Sequence, residues 1–227
     1  YGREFPGNPS DLDIEMWCAA NRLKLEEGGL GETAHFRNVV QLLYPYLRYE
    51  WSHWLEMQIS CFTGECGTHS WIGGGGIGKS WSLGTFARIW QACAPTERGV
   101  MIVNTTQKSQ SERAWKYVID CCNSFPFLPG RLSVSDLNPK LVITEEFPDP
   151  RNPSHMLSTI KPGVGIISQT VKAGSTAKGT ADLKGMHPPE LLVIVEESNH
   201  LRRTRLERAR ANWITNKYYQ IILTGNP

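Results

Sequence analysis

Gly73-x-x-x-x-Gly78-Lys79-Ser80 is the segment where residue type and spacing constrain the chemistry most. Glycines let successive backbone N–H groups converge on a phosphate with no side chain in the way, and a helix opening near Lys79 would add its positive end. A lysine there reaches the β- and γ-phosphates, and the serine hydroxyl is a hard oxygen ligand for Mg²⁺. This is the Walker A pattern in full. It marks Gly73, Gly74, Gly75, Gly76, Ile77, Gly78, Lys79, Ser80 and Trp81 as the candidate nucleotide-binding set, with ATP and Mg²⁺ as the expected ligands. The alternative is a glycine-rich connector that happens to precede Lys-Ser. Context weighs against it, because a short strand is possible at 70–72 and an amphipathic helix follows. The motif alone does not separate a kinase, a switch GTPase and a motor.

A second constellation lies at Leu191-Leu192-Val193-Ile194-Val195-Glu196-Glu197-Ser198, a buried-strand run ending in two carboxylates. In a phosphate-loop protein the first acid helps hold Mg²⁺, and the second orients and deprotonates the water that attacks the γ-phosphate. Nucleotide kinases and switch GTPases usually lack the second acid, so Glu197 points to the additional-strand ATPases. The first acid is Glu196 where aspartate is usual, which leaves open which carboxylate meets the metal. Two exposed glutamates at a strand end are the bland alternative. A rival pair, Glu145-Glu146, ranks lower because Pro148 and Pro150 follow and the apolar run before it is shorter. The sequence closes on Ile221-Ile222-Leu223-Thr224-Gly225-Asn226-Pro227. A hydroxyl and an amide at a strand tip suit sensing of a phosphate or its attacking water; taken alone, a strand ending in a Gly-Asn-Pro turn is the better reading.

The elements that must position these groups follow from periodicity. From Trp71 onward, short apolar runs at 100–103, 141–144, 164–167, 191–195 and 220–223 alternate with amphipathic stretches, the pattern of a parallel α/β sheet. One helix is predicted over 80–94, with Leu83, Phe86, Ala87, Trp90 and Cys93 on one face. Another is predicted over 109–122, opened by a Ser109-x-x-Glu112 capping box and burying Ala114, Trp115, Val118 and Cys122. Residues 124–190 read as extra strands and loops inserted into the sheet. Before the loop, aromatic-rich residues read as helices at 11–27 and 33–62, the second kinked or split at Pro45. The expected division is a helical N-terminal prefix or lid over 1–65 and a P-loop ATPase core over 66–227.

Composition sets wide bounds. The 227 residues, 40% hydrophobic and 20% charged, suit a globular protein with one full core, and a net charge of +2 permits an acidic partner without requiring one. Cys18, Cys61, Cys66, Cys93, Cys121 and Cys122 fit no zinc spacing and read as reduced, structural thiols. No apolar run approaches the roughly 20 residues needed to cross a bilayer, and no membrane partner is expected. Tyr1 in place of Met, and a strand-like run just before Pro227, suggest a chain trimmed at both ends.

Taken in order, the Walker A segment, the strand-acid-acid run and the 224–227 Thr-Gly-Asn-Pro ending resemble the ATPase domain of large terminase subunits from tailed bacteriophages. Leu183-Lys184-Gly185-Met186-His187-Pro188 and Met101-Ile102-Val103-Asn104-Thr105-Thr106 are similar to stretches of that family. The resemblance covers roughly residues 36–227 and rests on the ensemble. It implies a P-loop fold of the additional-strand type and Mg²⁺-dependent ATP hydrolysis driving double-stranded viral DNA into a procapsid. Lys79 and Glu197 would be catalytic, Ser80 and Glu196 would hold Mg²⁺, and Thr224, Gly225 and Asn226 would couple hydrolysis to movement. The implied partners are double-stranded DNA, the portal protein, the small terminase subunit and further copies in a ring, with a monomeric state open for the isolated fragment. The implied place is the host bacterial cytoplasm, at the procapsid portal. Full-length members carry a C-terminal nuclease; none is expected in this segment, and no nuclease activity with it. Two competing readings remain: a helicase-like or recombination ATPase acting on nucleic acid, and a nucleotide-binding assembly module with negligible turnover.

Many family members carry an arginine inside the Walker A loop, whereas this loop interior reads Gly74-Gly75-Gly76-Ile77. A transition-state arginine must therefore come from elsewhere, in cis or from a neighbouring subunit, with Arg113, Arg202, Arg203 and Arg205 as candidates. The arginine-rich stretch 201–210 reads first as a solvated helix face, ahead of a trans arginine finger and of contacts to DNA phosphates. Lys172, Lys178 and Lys184 are as ambiguous, and His187 reads as a loop histidine rather than a ligand.

Overall fold

The described residues form strands β1 (Thr68–Ile72), β2 (Arg98–Asn104), β3 (Arg131–Ser133), β4 (Lys140–Val142), β5 (Thr144–Asp149), β6 (Asn152–Ile160), β7 (Gly165–Thr170), β8 (Glu190–Val195) and β9 (Tyr218–Gly225), and the apolar runs at 100–103, 164–167, 191–195 and 220–223 fall on β2, β7, β8 and β9. Helices α1 (Lys79–Cys93) and α2 (Ala114–Ser124) accompany them. The computed structural model describes residues 57–58, 60–61, 67–106, 112–126, 128–133, 139–171, 186–201, 207, 210–211 and 213–226. The helices predicted at 11–27 and 33–62 lie outside these residues, apart from Met57, Gln58, Ser60 and Cys61, which are helical.

Seven strands form one sheet in the order β1-β9-β8-β2-β7-β4-β3. The pairs from β1 to β7 run parallel, and β4 and β3 add an antiparallel edge. Strands covered on both faces need near-continuous apolar runs, which β2 and β8 supply. Their side chains alternate. Val100, Ile102, Leu192 and Ile194 face α1 and α2, whereas Met101, Val103, Leu191, Val193 and Val195 pack with Trp213 and Leu201 on the other side.

Helix α1 departs from the one-faced helix that its periodicity suggests, since every residue from Ser82 to Cys93 is buried. It sits between the sheet and α2, with Gln58 capping its flank by donating to the Ser82 carbonyl at 3.0 Å. Buried Arg88 is accommodated because it donates to Gln91 Oε1 at 2.9 Å and to the Pro129 carbonyl at 2.8 Å. Gly84 lets the helices approach: a Cβ there would lie 2.3 Å from the Ala114 carbonyl oxygen.

Helix α2 is also corrected. Arg113 has φ −113° and ψ −135°, which interrupts the predicted helix; α2 begins at Ala114, whose N–H turns toward Glu196. Ser109 lies outside the described residues, and the fully buried cysteine of α2 is Cys121 rather than Cys122. The predicted 141–144 strand is split at Ile143. β4 joins the main sheet, while β5 pairs only with β6 in a separate two-stranded sheet, with Phe147 opposite Leu157. Residues 124–190 are thus only partly inserted into the main sheet. Among the described residues Cys61, Cys93, Cys121 and Cys122 form no disulfide, and no described helix is long and apolar enough to cross a membrane.

Candidate functional site

Parallel pairing brings the carboxyl ends of four strands to one edge of the sheet. Ile72 stands opposite Gly225, Leu223 opposite Val195, and Val195 opposite Val103. Ligands of open α/β sheets bind outside such strand ends. Here the edge carries the glycine loop after β1, the acidic turn after β8, the tip of β9 and the start of α2. Between them lies a cavity of about 340 Å³, lined by residues 74–80, Leu83, Arg113, Tyr117, Glu196, Glu197, Thr224, Gly225 and Asn226.

The loop owes its path to Gly76 and Gly78, with φ of +76° and +81°, values that a side chain disfavours. Gly78 is also the N-cap of α1 and supplies no side-chain cap, so first-turn N–H groups face the cavity end uncapped by a side chain. Lys79 folds back over the loop. Its Nζ donates to the Gly73 carbonyl, to Gly74 O at 3.2 Å, to Gly225 O at 3.2 Å and to Asn226 Oδ1 at 2.9 Å.

The two acids diverge. Glu196 is only 3% exposed, and its Oε1 lies 3.4 Å from Ser80 Oγ and 3.4 Å from the Ala114 N–H. Its Oε2 is buried with no hydrogen-bond partner. Burial pushes its pKa up from 4.5 to about 7, against the pull of the Ala114 N–H, the Arg113 charge and the Ser80 hydroxyl. An orphaned carboxylate oxygen beside a serine hydroxyl is a donor set that suits Mg²⁺, which favours oxygen ligands and retains several waters and phosphate oxygens. Among the described residues there is no cluster of three or more His, Cys, Asp or Glu that could hold a metal by itself. Glu197 takes left-handed backbone angles, φ 52° and ψ 49°, and pairs with Arg113 Nη2 at 2.5 Å.

At the tip of β9, the Thr224 hydroxyl donates to Val195 O at 3.4 Å, and Ser198 Oγ donates to Thr224 O at 3.0 Å. Thr224 therefore ties β9 to the acidic turn, and Asn226, rather than Thr224, presents its polar group to the lysine. Gly73 is in contact only through its backbone, and neither Gly73 nor half-buried Trp81 lines the cavity. The Glu145-Glu146 pair lies on β5, where Glu145 pairs with Lys161. His187 is exposed. Arg202, Arg203, Arg205, Lys172, Lys178 and Lys184 lie outside the described residues. The sequence reading missed Tyr117 and Leu83. Tyr117 stands one turn beyond Arg113, a spacing that would have flagged it once Arg113 was placed at the site.

No family model and no curated protein matches the chain. Solved structures do match in fold. The large terminase ATPase domain of Thermus phage P74-26 superposes with a TM-score of 0.53 at 13% identity, over 81% of this chain and 67% of that one. An arginine-to-alanine variant of the same domain gives 0.51 at 14% identity, over the same shares. The large terminase of a thermophilic bacteriophage gives 0.49 at 10% identity, over 83% of this chain and 38% of that one. The first two matches show a fold like that of a phage large terminase ATPase domain, built here on a mostly parallel sheet.

Proposed function

We propose that the chain is an additional-strand P-loop ATPase that hydrolyses Mg²⁺-ATP to drive double-stranded DNA, as the ATPase segment of a phage packaging motor. The observation that carries the reading is the meeting of Ser80 and buried Glu196, 3.4 Å apart, at the mouth of a glycine loop. β9 lies between β1, which leads into the loop, and β8, which leads into Glu196, as the additional-strand arrangement requires.

In this reading the loop N–H groups and Lys79 receive the β- and γ-phosphates. Ser80 and Glu196 hold Mg²⁺, which supplies charge neutralisation and orientation of the phosphate oxygens when bound. Glu197 accepts the proton of the attacking water. Arg113 stands in the same cavity and is the candidate cis cation for charge developing on the transferred phosphoryl group, a role the arginine-free loop interior leaves open. Portal protein, small terminase subunit and a ring of copies are partners proposed through the shared fold.

The test is ATP hydrolysis by the chain with Mg²⁺, alongside Lys79→Ala and Glu197→Gln, with and without double-stranded DNA. Hydrolysis in the parent chain, lost in both variants and raised by DNA, is the expected outcome; equal rates in all three refute the catalytic assignment. One observation favours the second reading of an assembly module with negligible turnover. The Glu197 carboxylate is engaged by Arg113, so nucleotide binding without measurable hydrolysis would select that module instead.

A further inference from the structure

We propose that Asn226 is a positioning residue for Lys79: its side-chain amide holds the loop's lysine against the tip of β9, and an entering phosphate takes the lysine in exchange. The proposal rests on the phosphate-binding reading of the loop and assigns Asn226 a partner other than water or the γ-phosphate.

An ammonium group has three N–H donors. Lys79 Nζ distributes them over four neutral acceptors, two on its own loop, the Gly73 and Gly74 carbonyls, and two on β9, Gly225 O and Asn226 Oδ1. The loop acceptors travel with the lysine, so only the β9 pair links the cation to another element. Gly225 O is also committed to the Gly73 N–H at 3.3 Å, within the β1–β9 register. Asn226 is the first residue beyond that register and is exposed. Upstream, Thr224 is held through Val195 and Ser198. When the lysine leaves β9 the strand therefore stays in place, and residue 226 is the first free to move.

The chemistry of the amide makes the exchange reversible. Phosphate oxygens carry formal charge and bind an ammonium more strongly than a neutral amide oxygen does. A carboxylate at 226 would instead hold the lysine as an ion pair, and a shorter or apolar side chain would not hold it at all. The exchange acts on the lysine, so ADP and ATP should feel it alike. A contact between Asn226 and the γ-phosphate would affect ATP alone.

Calorimetric titration of the full chain with ADP and with a non-hydrolysable ATP analogue, for the parent, Asn226→Ala and Asn226→Asp, tests this. Acylation of Lys79 by an amine-reactive ester, read by mass spectrometry, is the second measurement. Asn226→Asp is expected to weaken both ligands about tenfold, the equivalent of one charge-assisted hydrogen bond. Asn226→Ala is expected to tighten both about threefold and to raise the acylation rate of Lys79. Weaker binding of the ATP analogue alone in Asn226→Ala overturns the proposal, as do unchanged affinities with unchanged acylation. If the parent binds no ADP and ADP does not protect Lys79, the phosphate reading falls and takes the exchange with it. ADP binding that is equal in all three proteins removes the exchange only.

Discussion

Arg113 Nη2 and Glu197 Oε1 stand 2.5 Å apart, joining the residue before α2 to the second residue after β8. Both side chains are partly exposed, so the pair adds little to stability, below about 1 kcal/mol. In the proposed reading these two groups act on opposite sides of a phosphoryl transfer, and here they hold each other. Arg113→Ala is expected to shift the unfolding free energy by less than about 1 kcal/mol. It is expected to lower kcat for ATP at least about 100-fold, the scale of losing one transition-state cation. Denaturant titration and steady-state hydrolysis check this, and an unchanged kcat removes Arg113 from the chemistry.

Glu197 occupies left-handed backbone that a residue with a Cβ enters at a cost of about 1–2 kcal/mol. The ion pair is lost equally in Glu197→Gly and Glu197→Ala, so comparing them isolates the backbone. The glycine variant should be the more stable by about 1 kcal/mol in urea unfolding, although glycine is ordinarily the less stable choice. Hydrolysis should vanish in both. Equal stability of the two variants would mean that the turn relaxes and stores no strain.

Glu196 gives the pH dependence. Its folded pKa, about 7, lies above its ordinary 4.5. Below about pH 4.5 the carboxyl is protonated in both states and costs nothing. As pH rises toward 7 the unfolded chain ionises first, so stability falls, and above 7 the full penalty applies. At about 1.4 kcal/mol per pH unit the penalty amounts to about 3 kcal/mol. Glu196→Gln should therefore be more stable than the parent at pH 8 by up to that amount and match it near pH 4. Parallel stability curves for the two proteins across this range would contradict the burial argument. In the parent, Mg²⁺ with nucleotide should flatten the fall, since a cation at the orphaned oxygen offsets the desolvation.

Which features could be read in advance follows from the range of the interactions. The glycine loop is local, so its glycines and Lys-Ser pair are legible in eight residues. β2 and β8 are legible because strands covered on both faces must be apolar throughout. The split at Ile143 was invisible, since β5 leaves the sheet for a partner, β6, that periodicity does not name. The start of α2 was misjudged because a capping-box pattern says nothing of a carboxylate 82 residues away that draws the Ala114 N–H. The usual-aspartate argument left Glu196 and Glu197 interchangeable. Only the fold sets one beside Ser80 and the other beside Arg113.

Two glycines separate positions that the fold needs from positions that the ligand needs. At Gly84 an added Cβ would meet the Ala114 carbonyl at 2.3 Å and the Tyr117 Cβ at 2.7 Å, so α1 and α2 would have to part. Alanine gains about 1 kcal/mol of helix propensity there, yet overpacking of this kind typically costs about 1–3 kcal/mol. Gly84→Ala should come out less stable than the parent, and it should move the end of α2 that carries Arg113 and the Ala114 N–H. At Gly74 nothing lies within 4 Å of the added carbon. Gly74→Ala should stay within about 0.5 kcal/mol of the parent in stability while weakening ADP binding, because the methyl group occupies space that the phosphate reading gives to the ligand. Thermal melts and ADP titration of both variants decide the matter. A Gly74→Ala protein that binds ADP as tightly as the parent would place the phosphate elsewhere.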